Sequence, residues 1–139
     1  MILLDTSGLL SAIDASQSHH AACARVVTDS EGPLLVSPFV LAELDYLLGK
    51  RVGLEAQTAL LDEVARGAYR LEPFEPPDVA RARELMTRYS SLQLGLTDAS
   101  IVVLADRHGA RDILTLDERN FRAVRTSNRR PFRLLPADG

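Results

Sequence analysis

Apolar residues along this chain fall into short dense runs, separated by longer stretches in which they recur every three or four positions. Ile2-Leu3-Leu4 is a buried-strand pattern that stops at Asp5, and Thr6 or Ser7 is placed to cap a helix running through Leu9, Leu10 and Ile13. A second helix is expected from His19 to Asp29, ahead of a Gly32-Pro33 break, and Leu34-Leu35-Val36 reads as the next strand. Ser37-Pro38 joins a capping hydroxyl to a proline at the first helical position, and the helix it starts carries Phe39, Leu41, Ala42, Leu44, Leu47 and Leu48 and ends near Gly49. Residues 54–66 form a further amphipathic helix closed by Gly67, Tyr69-Arg70-Leu71 a short strand, and residues 78–90 a helix behind Pro76-Pro77. From Thr97 to Ala105 the chain is apolar on nearly every side, the mark of a helix buried within a domain, and Gly109 ends it. Ile113-Leu114-Thr115 gives another strand, and Phe132-Arg133-Leu134-Leu135 a last one at the sheet edge.

Strands alternating with helices predict one α/β domain over residues 1–139, a three-layer α/β/α arrangement around a central parallel sheet. The 46% apolar and 25% charged content agrees with a globular domain and excludes disordered or collagen-like chains. No apolar run approaches the roughly 18 residues a membrane span requires, and no basic segment precedes the first apolar run as in a secretory signal. A single cysteine, Cys23, permits neither an internal disulfide nor a cysteine-built zinc site. A cytoplasmic protein with no membrane contact is the expectation.

Charge is unevenly spread. Residues 1–106 hold 8 basic and 15 acidic side chains, whereas residues 107–139 hold 8 arginines against 4 acids. An arginine-rich end suits a polyanion as well as it suits plain solvation, and Arg129-Arg130 are candidates for phosphate contact on the same terms. In an open parallel sheet, sites form beyond the carboxyl ends of the strands. Asp5 closes the first strand, Asp117 follows Ile113-Leu114-Thr115 by two residues, and Asp98 stands at a helix start. Glu43 lies between Leu41, Ala42 and Leu44, which would turn it toward the core, whereas Asp45 faces elsewhere. Taken singly, Asp5 and Asp98 are explained as helix caps and Asp117-Glu118 as a turn. Together they predict one acidic cluster, which must hold protons or bind a cation. Oxygen-only ligands suit Mg²⁺ or Mn²⁺, and two such ions about 3.5–4 Å apart serve in-line phosphodiester cleavage.

Four motifs in order carry a family likeness: Leu-Leu-Asp-Thr-Ser-Gly-Leu-Leu at 3–10, Ser-Pro-x-x-x-x-Glu at 37–43, Leu-Thr-Asp-Ala at 96–99 and Leu-Thr-Leu-Asp-x-x-x-Phe at 114–121. With this spacing and length, the chain resembles PIN-domain ribonucleases, in particular the VapC toxins of type II toxin–antitoxin systems. The resemblance implies a Mg²⁺- or Mn²⁺-dependent endoribonuclease that cuts structured RNA, tRNA or rRNA, and so inhibits translation. It implies that Asp5, Glu43, Asp98 and Asp117 are both the catalytic and the metal-binding acids, with Thr6 and Thr115 as neighbouring hydroxyls that orient them. It further implies a homodimer held inactive by a cognate VapB antitoxin, for which the helices at 38–49 and 54–66 are candidate groove walls.

Competing readings fail on named residues. A haloacid-dehalogenase-like phosphatase needs a second Asp two residues after the first, where this chain has Ser7. A response-regulator receiver needs a lysine after a late strand, and the only lysine is Lys50. No glycine-rich nucleotide loop or Gly-x-Ser-x-Gly elbow is present, and His19, His20 and His108 lack metal-ligand spacing. A non-catalytic RNA-binding or scaffold domain of the same fold is the remaining alternative, disfavoured by the full set of acids.

Overall fold

A computed structural model describes all residues, Met1–Gly139. Strand and helix alternate as β1 (Ile2–Leu4), α1 (Thr6–Ile13), α2 (His20–Asp29), β2 (Leu34–Val36), α3 (Pro38–Arg51), α4 (Leu54–Ala65), β3 (Arg70–Leu71), α5 (Pro76–Arg88), α6 (Leu96–His108), β4 (Asp112–Leu114), α7 (Glu118–Ala123) and β5 (Arg133–Leu135). The five strands form one parallel sheet in the order β3-β2-β1-β4-β5. From β1 the chain steps outward to β2 and β3, then returns across the sheet to β4 and β5. Right-handed crossovers therefore place α1–α4 on one face and α5–α7 on the other, which is the expected three-layer α/β/α architecture.

The reversal of direction at β1 creates a crevice beyond its carboxyl end, between β2 and β4. Strands of only two or three residues let helices from the two faces meet past the strand ends, and α3 packs directly on α6 there. Ser37 Oγ caps α3 by accepting from the Phe39 N–H at 3.1 Å, as its sequence predicts, and also lies 2.7 Å from Ser100 Oγ of α6. This buried hydroxyl pair ties the two helix starts together.

The centre is packed as the apolar run of α6 foretells. All seven residues from Ala99 to Ala105 are buried, against Leu3, Leu4, Leu35, Val36, Ile113 and Leu114 of the sheet. Cys23 packs there as a small apolar group. Gly109 turns the chain with φ +64° after α6, a conformation that costs glycine nothing. At Gly8 the demand is space. A Cβ there would lie 2.5 Å from the Leu114 carbonyl oxygen, so only glycine lets the first turn of α1 lie against the end of β4.

Several boundaries differ from expectation. α5 begins at Pro76 rather than residue 78, because the Asp78 carboxylate accepts from the Glu75 N–H at 2.8 Å and closes the first turn two residues earlier. α3 continues past Gly49 to Arg51, and Gln57 of α4 packs against Gly49. α7 is an element that the hydrophobic pattern alone does not reveal, since six residues are too few to show a period. No helix is long and apolar enough to cross a membrane.

Candidate active site

β1 delivers Asp5 to the crevice as the residue before α1. Of the caps the sequence offers, Asp5, Thr6 and Ser7, Asp5 occupies the position, but its carboxylate does not cap the helix. It accepts instead from Thr115 Oγ1 at 2.6 Å and Ser7 Oγ at 2.9 Å. Thr115, directly after β4, also accepts from the Asp117 N–H at 2.9 Å, and Ser7 accepts from the Leu116 N–H at 3.0 Å. Two hydroxyls thus stitch the end of β1 to the end of β4, over the contact that Gly8 permits.

Asp117 is not merely in a turn. It caps α7 by accepting from the Asn120 N–H at 3.2 Å. Asp98 also departs from the simple reading. α6 starts two residues earlier, with Gly95 as its cap, so Asp98 is the third helical residue and its side chain is free of capping duty. Between these two acids stands Asn120, a residue the sequence reading passed over. Its Nδ2 reaches Asp117 Oδ2 at 3.3 Å and Asp98 Oδ2 at 3.4 Å, long contacts that span both carboxylates. Only its place one residue before the buried Phe121 hints at this role in the sequence.

Glu43 is the correction. Its apolar neighbours suggested a core-facing side chain, yet it is exposed, as is Ala42. α3 buries Val40, Leu44 and Leu48, a stripe at four-residue spacing, and Glu43 falls on the shoulder of that stripe. Its charge still adds a small upward push to Asp98.

The electrostatics report how closely the acids gather. Burial raises the Asp98 pKa to about 6, with further upward pushes from Asp5, Asp117 and Glu43 that the Asn120 contact only partly offsets. Burial likewise raises Asp5, against the lowering hydrogen bonds of Thr115 and Ser7 and with an added push from Asp117. Repulsion among carboxylates in a partly desolvated crevice is what a cation relieves. The donor set is all oxygen, and Thr6 Oγ1 is buried beside Asp5 without a hydrogen-bond partner. These residues fit a hard divalent cation. No three His, Cys, Asp or Glu side chains stand close enough together to hold a metal ion in this conformation, and the acids are linked through Thr115, Ser7 and Asn120 instead.

The histidines lie elsewhere, as expected. His20 Nδ1 pairs with the Ser11 carbonyl, and His108 joins Arg70 and Arg107 around the buried Glu72.

A profile of the PIN domain matches residues 2–126, which hold all four acids. The chain belongs to the PIN-domain family. This PIN domain is 42% identical to Ribonuclease VapC26 of Mycobacterium tuberculosis over 97% of its own length and 100% of that protein's. Its fold is similar to the crystal structure of M. tuberculosis VapC20, described as a sarcin–ricin-loop-cleaving toxin, with a TM-score of 0.79 at 22% identity over 86% of this chain and 92% of that one. It is also similar to a chain of VapBC2 from Rickettsia felis bound to a promoter DNA fragment, with a TM-score of 0.64 at 22% identity over 89% and 93% of the two chains. The PIN domain described here is thus a VapC-type chain over essentially its full length.

Proposed function

We propose that this PIN domain is an endoribonuclease toxin that cuts structured RNA, tRNA or rRNA, with Asp5, Glu43, Asp98 and Asp117 holding Mg²⁺ or Mn²⁺. The observation that carries this reading is the placement of Asp5, Asp98 and Asp117 at one end of the sheet, near enough for their charges to add to the burial that raises Asp98 to about 6. Similarity to a protein named as a ribonuclease supports the same reading. When bound, the ion supplies charge neutralisation for an in-line attack on a phosphodiester and for the leaving oxygen. The chain's own residues then have separable tasks. Thr115 and Ser7 hold Asp5 to one orientation, Asn120 bridges Asp98 and Asp117, and Glu43 stands exposed to solvent.

A VapB-like antitoxin is the proposed protein partner. Tyr46, Val52, Leu54 and Leu61 on and between α3 and α4 are exposed large apolar side chains, and Leu54 is 72% exposed, more than core packing explains. A neighbour of this fold is a VapBC complex, which supports a partner of that kind. The homodimer and the cytoplasmic location implied by the resemblance are carried in the same proposal.

The test is induction of the chain in a bacterial host, wild type beside Asp98→Asn, with mapping of new RNA 5′ ends. Growth arrest and discrete new ends with the wild type alone are expected. Equal arrest by both, or no new ends despite folded expression, would sink the nuclease reading. For Asn120→Ala, which touches two acids, the expected result is an about 10–100-fold loss in single-turnover cleavage. Raising the Mg²⁺ concentration should recover part of it. A loss that metal does not touch would mean that Asn120 acts on the fold and not on the acids.

A further inference from the structure

Six of the fifteen arginines have a carboxylate within ion-pair distance: Arg66, Arg70, Arg81, Arg107, Arg122 and Arg133. Of the remainder, three line one hollow of about 660 Å³ on the α5–α7 side of the sheet. Arg88, Arg125 and Arg129 surround it, together with Tyr89, Thr126 and Ser127, and no acid lines it. Gathering guanidinium groups without a carboxylate among them is unfavourable in itself, and this chain has acids to spare, with a net charge of −3.

The hollow is anchored. Tyr89 Oη accepts from the Arg125 N–H at 3.2 Å, and Asp106 Oδ1 accepts from the Ser127 N–H at 2.9 Å, which fastens the segment after α7 to α5 and α6. Arg125 Nη1 donates to the Arg122 and Val124 carbonyls, fixing its guanidinium while leaving the rest of the fork free. Arg88 stands in the last turn of α5, where a cation is favoured. Arg129 is held at φ +62°, a left-handed conformation uncommon outside glycine, by a turn in which its N–H donates to the Thr126 carbonyl at 2.9 Å. Neither Arg88 nor Arg129 makes a side-chain hydrogen bond within the chain.

The position relative to the acids follows from the chain itself. Arg125 comes five residues after Asn120, which is about 7.5 Å along a helix and at most about 18 Å of extended backbone. A strand whose scissile phosphate sits at the acids therefore reaches the hollow within a few nucleotides. We propose that the Arg88–Arg125–Arg129 hollow seats a phosphate-and-ribose segment of the RNA backbone next to the cleavage site, positioning the substrate without reading its bases. This rests on the nuclease reading above for the identity of the polyanion.

The test measures affinity for a fluorescein-labelled RNA hairpin against NaCl concentration, by anisotropy, in the Asp98→Asn protein without divalent ion. Arg88→Gln and Arg129→Gln should each weaken binding several-fold for hairpins of unrelated sequence. Each should also flatten the dependence of log K on log salt by about 0.7–1, the contribution of one phosphate contact. Arg88→Lys should keep most of the slope, and Arg25→Gln, an exposed arginine on α2, all of it. Unchanged slopes in both glutamine variants, with melting temperatures matching the parent, overturn the proposal. So does loss of binding to a polyglutamate peptide with RNA binding intact, which would make the hollow an acidic-peptide site. If wild-type protein cuts no RNA yet the glutamine variants lose hairpin binding, the nuclease reading fails and the phosphate seat stands. If RNA is cut and the variants bind and cut as the parent does, the reverse holds.

Discussion

Asp98→Asn, the substitution expected to abolish cleavage, should make the metal-free protein more stable at pH 7, by about 1–2 kcal/mol. In the unfolded chain this carboxyl loses its proton near pH 3.8, and in the folded protein only near pH 6. Between those values the folded state binds the extra proton, so wild-type stability falls as pH rises through the window and the full penalty is present above it. A shift of two units corresponds to roughly 3 kcal/mol at 1.36 kcal/mol per unit, and solvent screening of a partly exposed group brings this to about 1–2 kcal/mol. Asparagine carries no charge at any pH. Its advantage should therefore be complete at pH 7 and vanish below about pH 4, where the native aspartate is protonated in both states. Thermal melts in a chelating buffer at both pH values measure this, with an expected difference of about 3–8 °C at pH 7. Added Mg²⁺ should reverse the order, because only the wild type gains a ligand that binds the folded state. A variant that melts at or below the wild-type temperature at pH 7 without metal would show that burial among other acids does not strain Asp98.

Phe121→Ala should cost about 3–5 kcal/mol, the range for deleting a fully buried aromatic ring. Phe121 is 0% exposed and packs edge-on against Phe132, with ring centroids 6.5 Å apart and planes at 89°. α7 has six residues, far fewer than an isolated helix needs in water, so docking of this ring is what holds the helix in place. Asp117 caps that helix and Asn120 precedes the ring. Cleavage should therefore drop further than the folded fraction does, even at a temperature where the variant is mostly native. Urea titration of both proteins, with single-turnover cleavage at low temperature, separates the two effects. Phe121→Leu, which refills much of the space, should recover a large part of each. A loss under about 1 kcal/mol would mean that other contacts hold α7, since even modest core truncations cost that much.

The two results pull in opposite directions because the residues answer to different physics. Asp98 is kept at a cost to the fold, and Phe121 secures the geometry in which that cost is useful. The arrangement of Asn120 shows the same division. Nothing in the order Asp117-Glu118-Arg119-Asn120-Phe121 marks the asparagine as a bridge, because its second partner, Asp98, is 22 residues away and reaches it only once α6 and α7 are docked.

What could be read from the chain was local or periodic. Hydrophobic period and turn chemistry depend on neighbouring residues, so the succession of strands and helices, the buried α6 run and the Ser37-Pro38 start were all legible. The four acids could be singled out in the same way, from motifs that stand in order along the chain. What required the tertiary structure was whatever depends on which distant segments touch. The switch of strand order at β1 turns Asp5 and Thr115 into neighbours 110 residues apart, through an approach that Gly8 alone allows. The helix face that α3 presents to α6 leaves Glu43 at the rim and not in the core. The burial that raises Asp98, and the carboxylate charges that add to it, exist only in the folded chain. Sequence sets the local preferences because they are short-range, whereas the site is a product of long-range packing, and its energies exist only after that packing has formed.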